Sequence, residues 1–259
     1  MKKIEILKQI VKEAGTIVKK GYHANKEILH KGVVDLVTQY DVETENFLLK
    51  ALKAHFPEYH LVGEESHHGG FEYQKAIYID PIDGTTNFIH GIPHLAISLG
   101  AWEENEPIMG IVYNPILDEM FWALKGEGAY CNGVKLHVST QNILQQSLIA
   151  TGFPYAKVNA GIEYHWVIDS MSRLLPHIQD IRRLGAAAID LCYLAQGKTE
   201  GFYEVDLKPW DVAAGILVVL EAGGKVTDLN GGSYRFGSKS IVATNGAIHQ
   251  QLLAHLAKI

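Results

Sequence analysis

The chain carries one motif whose residue types suit metal binding, Asp-Pro-Ile-Asp-Gly-Thr-Thr-Asn-Phe at residues 80–88. Residues 76–79, Ala-Ile-Tyr-Ile, precede it and predict a buried strand that ends at the proline. The proline and the glycine permit a tight turn, so Asp80, the carbonyl of Ile82 and Asp83 can converge on one point. Such oxygen ligands suit a hard cation beside a phosphate. Standing alone, an Asp-Pro-x-Asp-Gly segment can equally be a turn closed by its own Asp side chains.

Three further segments place acidic residues at the edges of predicted elements. Residues 61–66 are Leu-Val-Gly-Glu-Glu-Ser, residues 35–41 are Asp-Leu-Val-Thr-Gln-Tyr-Asp, and residues 209–215 are Pro-Trp-Asp-Val-Ala-Ala-Gly. Carboxylate, carbonyl and hydroxyl oxygens are the ligands that Mg²⁺ selects, and Mg²⁺ usually takes few protein groups together with water and substrate phosphate. Together with the first motif, these segments predict a Mg²⁺ site built from several carboxylates.

Residues 63–66, 80–88 and 210–215 resemble the three signature motifs of the inositol monophosphatase family, and the bacterial inositol-1-monophosphatases in particular. Members of this family are lithium-sensitive, Mg²⁺-dependent phosphomonoesterases. The similarity begins at residues 35–41 and reaches the C-terminal third, so it covers nearly the whole chain. It implies hydrolysis of myo-inositol monophosphate to inositol and phosphate by direct attack of a metal-activated water.

The resemblance implies a fold of the α+β or α/β class, a layered α-β-α-β-α sandwich of the inositol monophosphatase and fructose-1,6-bisphosphatase type. An N-terminal half, residues 1–135, would carry the main metal motifs, and a C-terminal half, residues 136–259, would carry Glu204 and Asp211. No repeat or low-complexity linker separates the two halves. We therefore expect them to pack intimately as one domain, with the site between them.

The metal ligands follow from the same resemblance. Glu64, Asp80 and the carbonyl of Ile82 are expected to hold one Mg²⁺. Asp80, Asp83 and Asp211 are expected to hold a second, and the working complex would contain two or three ions. Two cations roughly 3.5 to 4 Å apart can bridge a phosphate and bind the attacking water and the leaving oxygen on opposite sides.

The resemblance also implies that the hydroxyl of Thr85, together with Glu64 and Asp41, orients and deprotonates the attacking water. Two simpler interpretations stand beside this one. Thr85 could only cap the helix predicted after Gly84, and Asp41 could only be the N-cap of a helix that begins after it. Glu65 is expected at the surface or in a supporting position beside the metal ligand.

Contacts to the substrate are expected on both sides of the site. The amides of Gly84 and Thr85 would hold phosphate oxygens, because helix N-termini bind anions without a basic side chain. Glu204 matches the family position that bonds the hydroxyls of the alcohol, although it could also be an exposed charge at a strand end. The full set of expected substrate-binding residues is Asp83, Gly84, Thr85, Gly185, Ala186, Ala187, Glu204 and Asp211.

Two other groups of residues invite a role. Lys31 lies near a flexible-loop lysine of the family, but its spacing to Asp35 is one residue shorter than in the animal enzymes, which leaves its role open. Among the 13 histidines, His90 and His94 have the spacing of a helical zinc pair. A glycine and a proline between them oppose such a helix, which argues against a histidine metal site.

Several rival functions match parts of the sequence. Residues 82–85, Ile-Asp-Gly-Thr, imitate the motif of haloacid dehalogenase phosphatases, but the nucleophile position is Pro81, which cannot form an acyl phosphate. Histidinol phosphatases tend to carry lysine where this chain has Thr86. Their activity stays open, as do those of 3′-phosphoadenosine 5′-phosphate phosphatase and fructose-1,6-bisphosphatase. A regulatory binding protein on the same fold is also open, although every matched ligand is present.

Composition limits the partners and the compartment. A net charge of −6, with acids spread along the chain, argues against nucleic acid as a partner. The expected partner is a small phosphate ester attracted through metal ions. Two cysteines are too few for a disulfide framework and predict reduced thiols in the cytoplasm. No apolar run approaches the roughly 20 residues of a membrane span. The family resemblance implies a homodimer.

Hydrophobic periodicity predicts the elements that position these motifs. A helix is expected over residues 3–21, a mobile loop over residues 22–34, and a second helix after Asp41. Antiparallel strands at 95–102, 108–113 and 119–124 should precede a turn-rich edge at 126–133. Beyond residue 136, strands alternate with helices, which predicts a mixed or parallel sheet covered by helices. Those strands are expected at 147–150, 178–184, 201–204, 225–227 and 240–243, and the helices at 162–174, 186–195, 209–222 and 247–256.

Overall fold

The computed structural model describes residues 2–30 and 36–258. Within them, helices α1 to α7 span Lys3–Tyr22, Gln39–His55, Thr85–His90, Ile162–Leu174, Ala187–Ala195, Pro209–Glu221 and His249–His255. Strands β1 to β14 span Ile28–His30, Leu36–Thr38, His60–Gly63, Lys75–Asp83, Ala96–Glu103, Glu106–Asn114, Glu119–Leu124, Gly128–Cys131, Val134–Lys135, Leu148–Thr151, Asp180–Arg182, Gly201–Val205, Lys225–Thr227 and Ser240–Thr244. The predictions for Lys31 and Asp35 lie outside the described residues.

Helices α1 and α2 pack side by side against one face of a seven-stranded sheet. The α1 residues buried in this contact recur at three- and four-residue steps, as predicted: Ile4, Leu7, Val11, Ala14 and Val18. The sheet has the strand order β3-β4-β5-β6-β7-β8-β9, and β3 runs parallel to β4. From β4 onward all neighbours are antiparallel, which confirms the predicted meander. Residues 126–133 lie at its edge, where β8 turns into β9.

A second sheet of five strands has the order β11-β10-β12-β14-β13. Strand β10 is parallel to both neighbours, and β14 is antiparallel to both of its own, so the sheet is mixed as predicted. Helices α5 and α6 lie between the two sheets, and α4 and α7 cover the outer face of the second. The layers therefore form the predicted α-β-α-β-α sandwich. Across the described residues, no helix has the length and apolarity needed to cross a membrane.

Strand β12 shows how burial on both faces positions a polar residue. Phe202 packs into the core around α5 and α6, whereas Tyr203 packs into the core below α4 and α7. Successive strand residues point to opposite faces, so Glu204 shares the face of Phe202. The carboxylate of Glu204 is thereby directed into the layer between the sheets.

Three local predictions are wrong. Helix α2 begins at Gln39 rather than after Asp41, because Thr38 is its N-cap. Strand β4 continues past the proline to Asp83, since a bulge in its pairing with β5 accommodates a residue that cannot donate to the ladder. Part of the segment expected as a loop, residues 28–30, is a strand that pairs with β2.

Candidate active site

The bulge in β4 brings two buried carboxylates together. Asp80 Oδ1 accepts the backbone N–H of Ile82 at 3.0 Å. Asp83 Oδ2 accepts the N–H of Ala188, in the first turn of α5, at 2.7 Å. Residues three apart in a regular strand point to opposite faces, and the bulge between Asp80 and Asp83 removes that separation. Strand β4 therefore presents both acids where α5 begins.

Asp41 links the start of α2 to Thr85. Its Oδ2 accepts the backbone N–H of Thr38 at 2.8 Å and the hydroxyl of Thr38 at 2.6 Å. Its Oδ1 lies 3.0 Å from Thr85 Oγ1, which is also 3.1 Å from the carbonyl oxygen of Ile82. The interpretation of Asp41 as a mere N-cap is wrong, because it is the third helical residue. Thr85 is not a cap either, since Gly84, with φ of 90°, is the N-cap of α3.

Glu64 lies just after β3, on a loop that α2 supports. Glu45, on α2 and 2% exposed, accepts the backbone N–H of Glu65 through Oε2 at 2.8 Å. A Cβ at Gly63 would lie 2.5 Å from Glu45 Cδ, so any larger residue here would displace the Glu45 carboxylate. Glu45 follows Asp41 by one helical turn. One face of α2 thus holds both the Thr85 hydroxyl and the loop of Glu64.

Helix α6 supplies the acid of the third motif. Asp211 is in its first turn, as predicted, and its Oδ2 accepts the backbone N–H of Lys208 at 2.6 Å. Pro209 occupies the first helical position, where its fixed φ is compatible with the helix and its missing N–H costs nothing. The helix lies between the two sheets, so its N-terminus directs Asp211 towards the acids of β4.

Burial and mutual repulsion raise the pKa of these carboxyl groups. Burial raises the pKa of Asp80 well above its usual value, and the charges of Glu64, Asp83 and Asp211 raise it further. Burial raises the pKa of both Asp83 and Asp211 to about 7. It also raises the pKa of Asp41. The acids of separate motifs therefore act on one another, and a cation among them would relieve the repulsion.

The donor set fits Mg²⁺. It contains carboxylates, a backbone carbonyl and a hydroxyl, all of them hard oxygens. Within residues 2–30 and 36–258, no three or more His, Cys, Asp or Glu side chains are grouped so that they could hold an ion by themselves. Mg²⁺ does not need such a cage, because it retains several waters and takes one or two carboxylates together with substrate phosphate.

Glu204 is 7% exposed, so the interpretation as an exposed strand-end charge is wrong. Gly152 leaves the space that its carboxylate occupies, because a Cβ there would lie 1.9 Å from Glu204 Oε1. Burial raises the pKa of Glu204 well above its usual value, the charge of Asp190 raises it further, and the Arg183 guanidinium lowers it. Glu204 is thus a buried acceptor with charged neighbours of both signs.

A cavity of about 100 Å³ joins these groups. It is lined by all eight residues expected to contact substrate: Asp83, Gly84, Thr85, Gly185, Ala186, Ala187, Glu204 and Asp211. Glu64 lines an adjoining cavity of about 180 Å³, which shares Glu204 and Asp211 with the first. Asp41, Asp80 and Ile82 are not part of either lining. They are held behind it by their contacts to Thr85 and within β4.

Sequence reasoning missed five polar residues in and behind this cavity: Glu45, Asn87, Lys157, Arg183 and Asp190. Asn87 Nδ2 donates to the carbonyl oxygens of His94 and Leu184 at 2.7 and 2.8 Å, so it ties α3 to the turn at Gly185. Asn87 could have been identified from the sequence, because it lies within the motif at residues 80–88. Lys157 and Arg183 lie in segments where no pattern predicted a role.

A layered sandwich with a carboxylate-lined cavity between its sheets has the architecture of a phosphatase. The comparison with protein families agrees, because the model described as "Inositol monophosphatase family" matches residues 2–259. The chain belongs to the inositol monophosphatase family. The resemblance carried by the three motifs is thereby confirmed.

Individual relatives support the same assignment. "Inositol monophosphatase 2" of Solanum lycopersicum is 38% identical over 93% of this chain and 93% of its own. "Nus factor SuhB" of Salmonella typhimurium is 36% identical over 98% of this chain and 95% of its own. The crystal structure of the extragenic suppressor protein suhB from Bartonella henselae has a TM-score of 0.91 and 37% identity over 98% of both chains. The fold class predicted from the sequence is confirmed.

Proposed function

We propose that this protein is a Mg²⁺-dependent phosphomonoesterase that hydrolyses myo-inositol monophosphate to inositol and phosphate. One observation supports the proposal most directly. Asp83 and Asp211, whose carboxylates are proposed metal ligands, line the same cavity as the buried carboxylate of Glu204. The first two suit cations beside a phosphate, and the third suits a hydroxyl-bearing alcohol. The name of the tomato relative, an inositol monophosphatase, supports the choice of alcohol.

In this proposal the acids of the three motifs hold two metal ions. Glu64, Asp80 and the carbonyl of Ile82 would bind one Mg²⁺. Asp80, Asp83 and Asp211 would bind the other. When bound, the ions would offset the charge of the phosphate and lower the pKa of a bound water. Neighbouring acids help to raise the pKa of Asp80. A bound cation would lower that pKa again.

Thr85 and Asp41 would orient the attacking water. When Thr85 Oγ1 donates its proton to Asp41 Oδ1, 3.0 Å away, its lone pairs face outward and can accept a hydrogen bond from water. With Glu64 as the other acceptor, the water is held with one lone pair towards phosphorus. The new P–O bond forms as the bond to the inositol oxygen breaks. One proton passes from the water through the Thr85 hydroxyl to the Asp41 carboxylate, and the leaving inositol oxygen takes up a proton from solvent water.

The alcohol would lie against the opposite wall. Glu204 accepts hydrogen bonds from inositol hydroxyls, and its burial strengthens such bonds. Gly185, Ala186 and Ala187 carry little or no side chain, which leaves room for a ring. Phosphate oxygens would face Gly84 and Thr85, at the start of α3. In this arrangement the phosphate lies apart from the residues that determine which alcohol is bound.

A phosphate-release assay tests the proposal. The substrates are inositol 1-phosphate, glycerol 2-phosphate, histidinol phosphate, adenosine 3′,5′-bisphosphate and fructose 1,6-bisphosphate, each with Mg²⁺ and with excess chelator. We expect the highest kcat/KM for inositol 1-phosphate, no release in chelator and inhibition by lithium. A different preferred ester would reassign the substrate, and full activity in chelator would end the metal proposal. Lithium insensitivity would remove that one family property only.

A regulatory role beside hydrolysis is the second candidate, because the Salmonella relative is named as a Nus factor. Replacement of the native gene by one that encodes Asp83→Asn separates the two functions. A regulatory role independent of hydrolysis persists with that variant. A phenotype equal to deletion of the gene assigns the whole function to hydrolysis.

A homodimer is proposed from the family resemblance, through surfaces remote from the acids. Sedimentation velocity at micromolar concentration tests it. A single species with the mass of two chains supports the dimer, and a species at the 28.7 kDa of one chain contradicts it.

A further inference from the structure

The cavity contains two cations that the proposed hydrolysis leaves without a role. Lys157, in the 3-10 helix Tyr155–Asn159 before α4, and Arg183, just after β11, both line it. The other charged groups of the lining are all acids: Asp83, Asp190, Glu204 and Asp211. We propose that Lys157 and Arg183 form a subsite for a second anionic group, a phosphate or a carboxylate, on the alcohol part of the substrate. This inference rests on the proposed phosphomonoesterase chemistry and extends its substrate class from myo-inositol monophosphate to esters whose alcohol carries a second anionic group.

A cation–π contact and the space left by a glycine accommodate the Arg183 guanidinium at the cavity wall. Its Cζ lies 5.2 Å from the centre of the Phe153 ring, in a cation–π contact. Its Nη1 occupies the space above Gly185, where a Cβ would lie only 2.4 Å away. The φ of Gly185 is 95°, which also favours glycine at this position. The guanidinium thus packs against a ring and a glycine, and among the described residues it forms no ion pair with a carboxylate at 4.0 Å or less.

Neither cation is neutralised by an ion pair. In the described part of the chain, no carboxylate oxygen lies within 4.0 Å of a charged nitrogen of Lys157 or Arg183. The neighbouring Arg182, by contrast, is paired with Asp180 at 2.6 Å. Burial and the charge of Arg183 lower the pKa of Lys157, so the two cations repel each other in a partly desolvated place. An anion between them would relieve that repulsion.

The two cations lie on the alcohol side of the cavity. The charge of Arg183 lowers the pKa of Glu204, and the charge of Glu204 raises that of Lys157. Arg183 Nη1 also lies above Gly185, which is proposed to face the ring of the alcohol. Because the reacting phosphate is proposed to lie at Asp83 and Asp211, Lys157 and Arg183 are left for the remainder of the substrate.

A purely electrostatic role is the competing explanation. Arg183 could serve only to keep Glu204 ionised, so that Glu204 accepts hydroxyl hydrogen bonds. Its removal would then weaken every polyol monoester to the same extent. A subsite for a second anion has a different signature, because its removal changes the ratio between substrates with and without that anion.

The experiment uses two matched substrate pairs with the Mg²⁺-loaded protein. Inositol 1,4-bisphosphate against inositol 1-phosphate tests a second phosphate, and 2-phosphoglycerate against glycerol 2-phosphate tests a carboxylate. The variants are Arg183→Gln and Lys157→Met, with Arg182→Gln as the matched control. We expect the wild type to prefer the more anionic member of at least one pair, measured as kcat/KM. Arg183→Gln should lower that ratio by roughly 10- to 100-fold, as expected for a charge-assisted contact, and Arg182→Gln should not change it.

Other outcomes overturn the subsite. Equal losses for both members of each pair would assign Arg183 to Glu204 or to the reacting phosphate. No preference for the more anionic substrate in the wild type would also end the proposal. If no phosphomonoester is hydrolysed, the proposed function fails, and calorimetry with inositol 1,4-bisphosphate still decides the subsite. Weaker binding to Arg183→Gln than to Arg182→Gln, with both variants folded by circular dichroism, supports it, and equal binding overturns it.

Discussion

The buried carboxylate of Glu45 accepts the backbone N–H of Glu65 at 2.8 Å, and Gly63 leaves the space for that contact. Glu45 lies one turn beyond Asp41, whose carboxylate lies 3.0 Å from the hydroxyl of Thr85. Successive turns of α2 therefore hold two parts of the site that are distant in the sequence. The loop that carries Glu64 is therefore contacted by a side chain outside the proposed ligand set.

Glu45→Ala should weaken Mg²⁺ binding without touching a ligand. Loss of the acceptor frees the loop after β3, so the Mg²⁺ concentration for half-maximal activity should rise about tenfold. Glu45→Gln is the matched control, because its amide oxygen can still accept the N–H of Glu65. The measurement is phosphate release across a Mg²⁺ titration. Identical Mg²⁺ requirements for the Ala and Gln variants would contradict a positioning role.

Asp83→Asn should abolish hydrolysis while the fold is kept. The amide oxygen can still accept the N–H of Ala188, but the charge that would hold a reluctantly dehydrated cation is lost. Phosphate release from inositol 1-phosphate and thermal melting are measured together. Asp169→Asn, an exposed acid on α4, is the control and should behave as wild type. Near-normal activity of Asp83→Asn at ordinary Mg²⁺ would remove Asp83 from the proposed ligands.

Thr85→Val should lower kcat roughly 100-fold or more, because the hydroxyl proposed to orient the water is removed at constant shape. Thr85→Ser restores the hydroxyl and should recover most of the rate. Steady-state kinetics at saturating Mg²⁺ distinguish this effect from lost binding, since KM should change far less than kcat. A Val variant as fast as the Ser variant would leave the Thr85–Asp41 contact a structural one.

The elements were predictable where one periodicity dominates. The buried face of α1 follows from its own sequence, and Asp211 lies at a helix start as its motif predicts. The end of β4 was not predictable in this way, because passage through Pro81 depends on a bulge in the pairing with β5. The N-cap of α2 was missed since Thr38 and Asp41 are both common capping residues. The hydrogen bonds between the two residues show that Thr38 is the N-cap and that Asp41 is the third helical residue.

The acidic motifs could be recognised in the sequence because the residues within each motif are adjacent and specific to one family, and their role as metal ligands stays a prediction. The alcohol side of the cavity is different. Lys157 and Arg183 come from separate segments, and neither has a local pattern that distinguishes it from surface charge, whereas Glu204 was expected only through the family resemblance. Only the packing of β12 against its neighbours and the space left by Gly152 turn Glu204 inward. Such a wall is a product of tertiary structure.

Glu204→Ala should change substrate preference. A buried carboxylate that accepts hydroxyl hydrogen bonds is worth about 1.5 to 3 kcal/mol, and about 1.4 kcal/mol is tenfold in rate. The ratio of kcat/KM for inositol 1-phosphate to that for p-nitrophenyl phosphate should fall by roughly one to two orders of magnitude. Gly152→Ala should lower the same ratio, because its Cβ would displace Glu204 Oε1. An unchanged ratio in both variants would contradict the proposed role of Glu204 in binding the hydroxyls of the alcohol.

His249 should make stability depend on pH between about 4 and 6.5. It is 1% exposed, its Nδ1 lies 2.9 Å from Thr244 Oγ1, and its Nε2 lies 3.0 Å from Thr227 Oγ1. Burial, helped by the charge of Lys225, lowers the pKa of His249 to about 4, against about 6.5 in the unfolded chain. Between these values the unfolded chain binds more protons, so stability rises with pH by up to about 1.4 kcal/mol per pH unit.

The contribution of His249 is therefore complete above about pH 6.5 and is lost as the pH falls towards 4. His249→Gln removes the titration, and His165→Gln, at an exposed position on α4, is the matched control. Urea unfolding is measured at pH 7.5 and pH 4.5. Other groups also titrate over this interval, but they are common to both proteins and cancel in the difference. The stability advantage of wild type over His249→Gln should shrink by about 2 kcal/mol or more at the lower pH. An advantage that stays constant would mean that His249 is protonated in the folded protein as readily as in the unfolded chain.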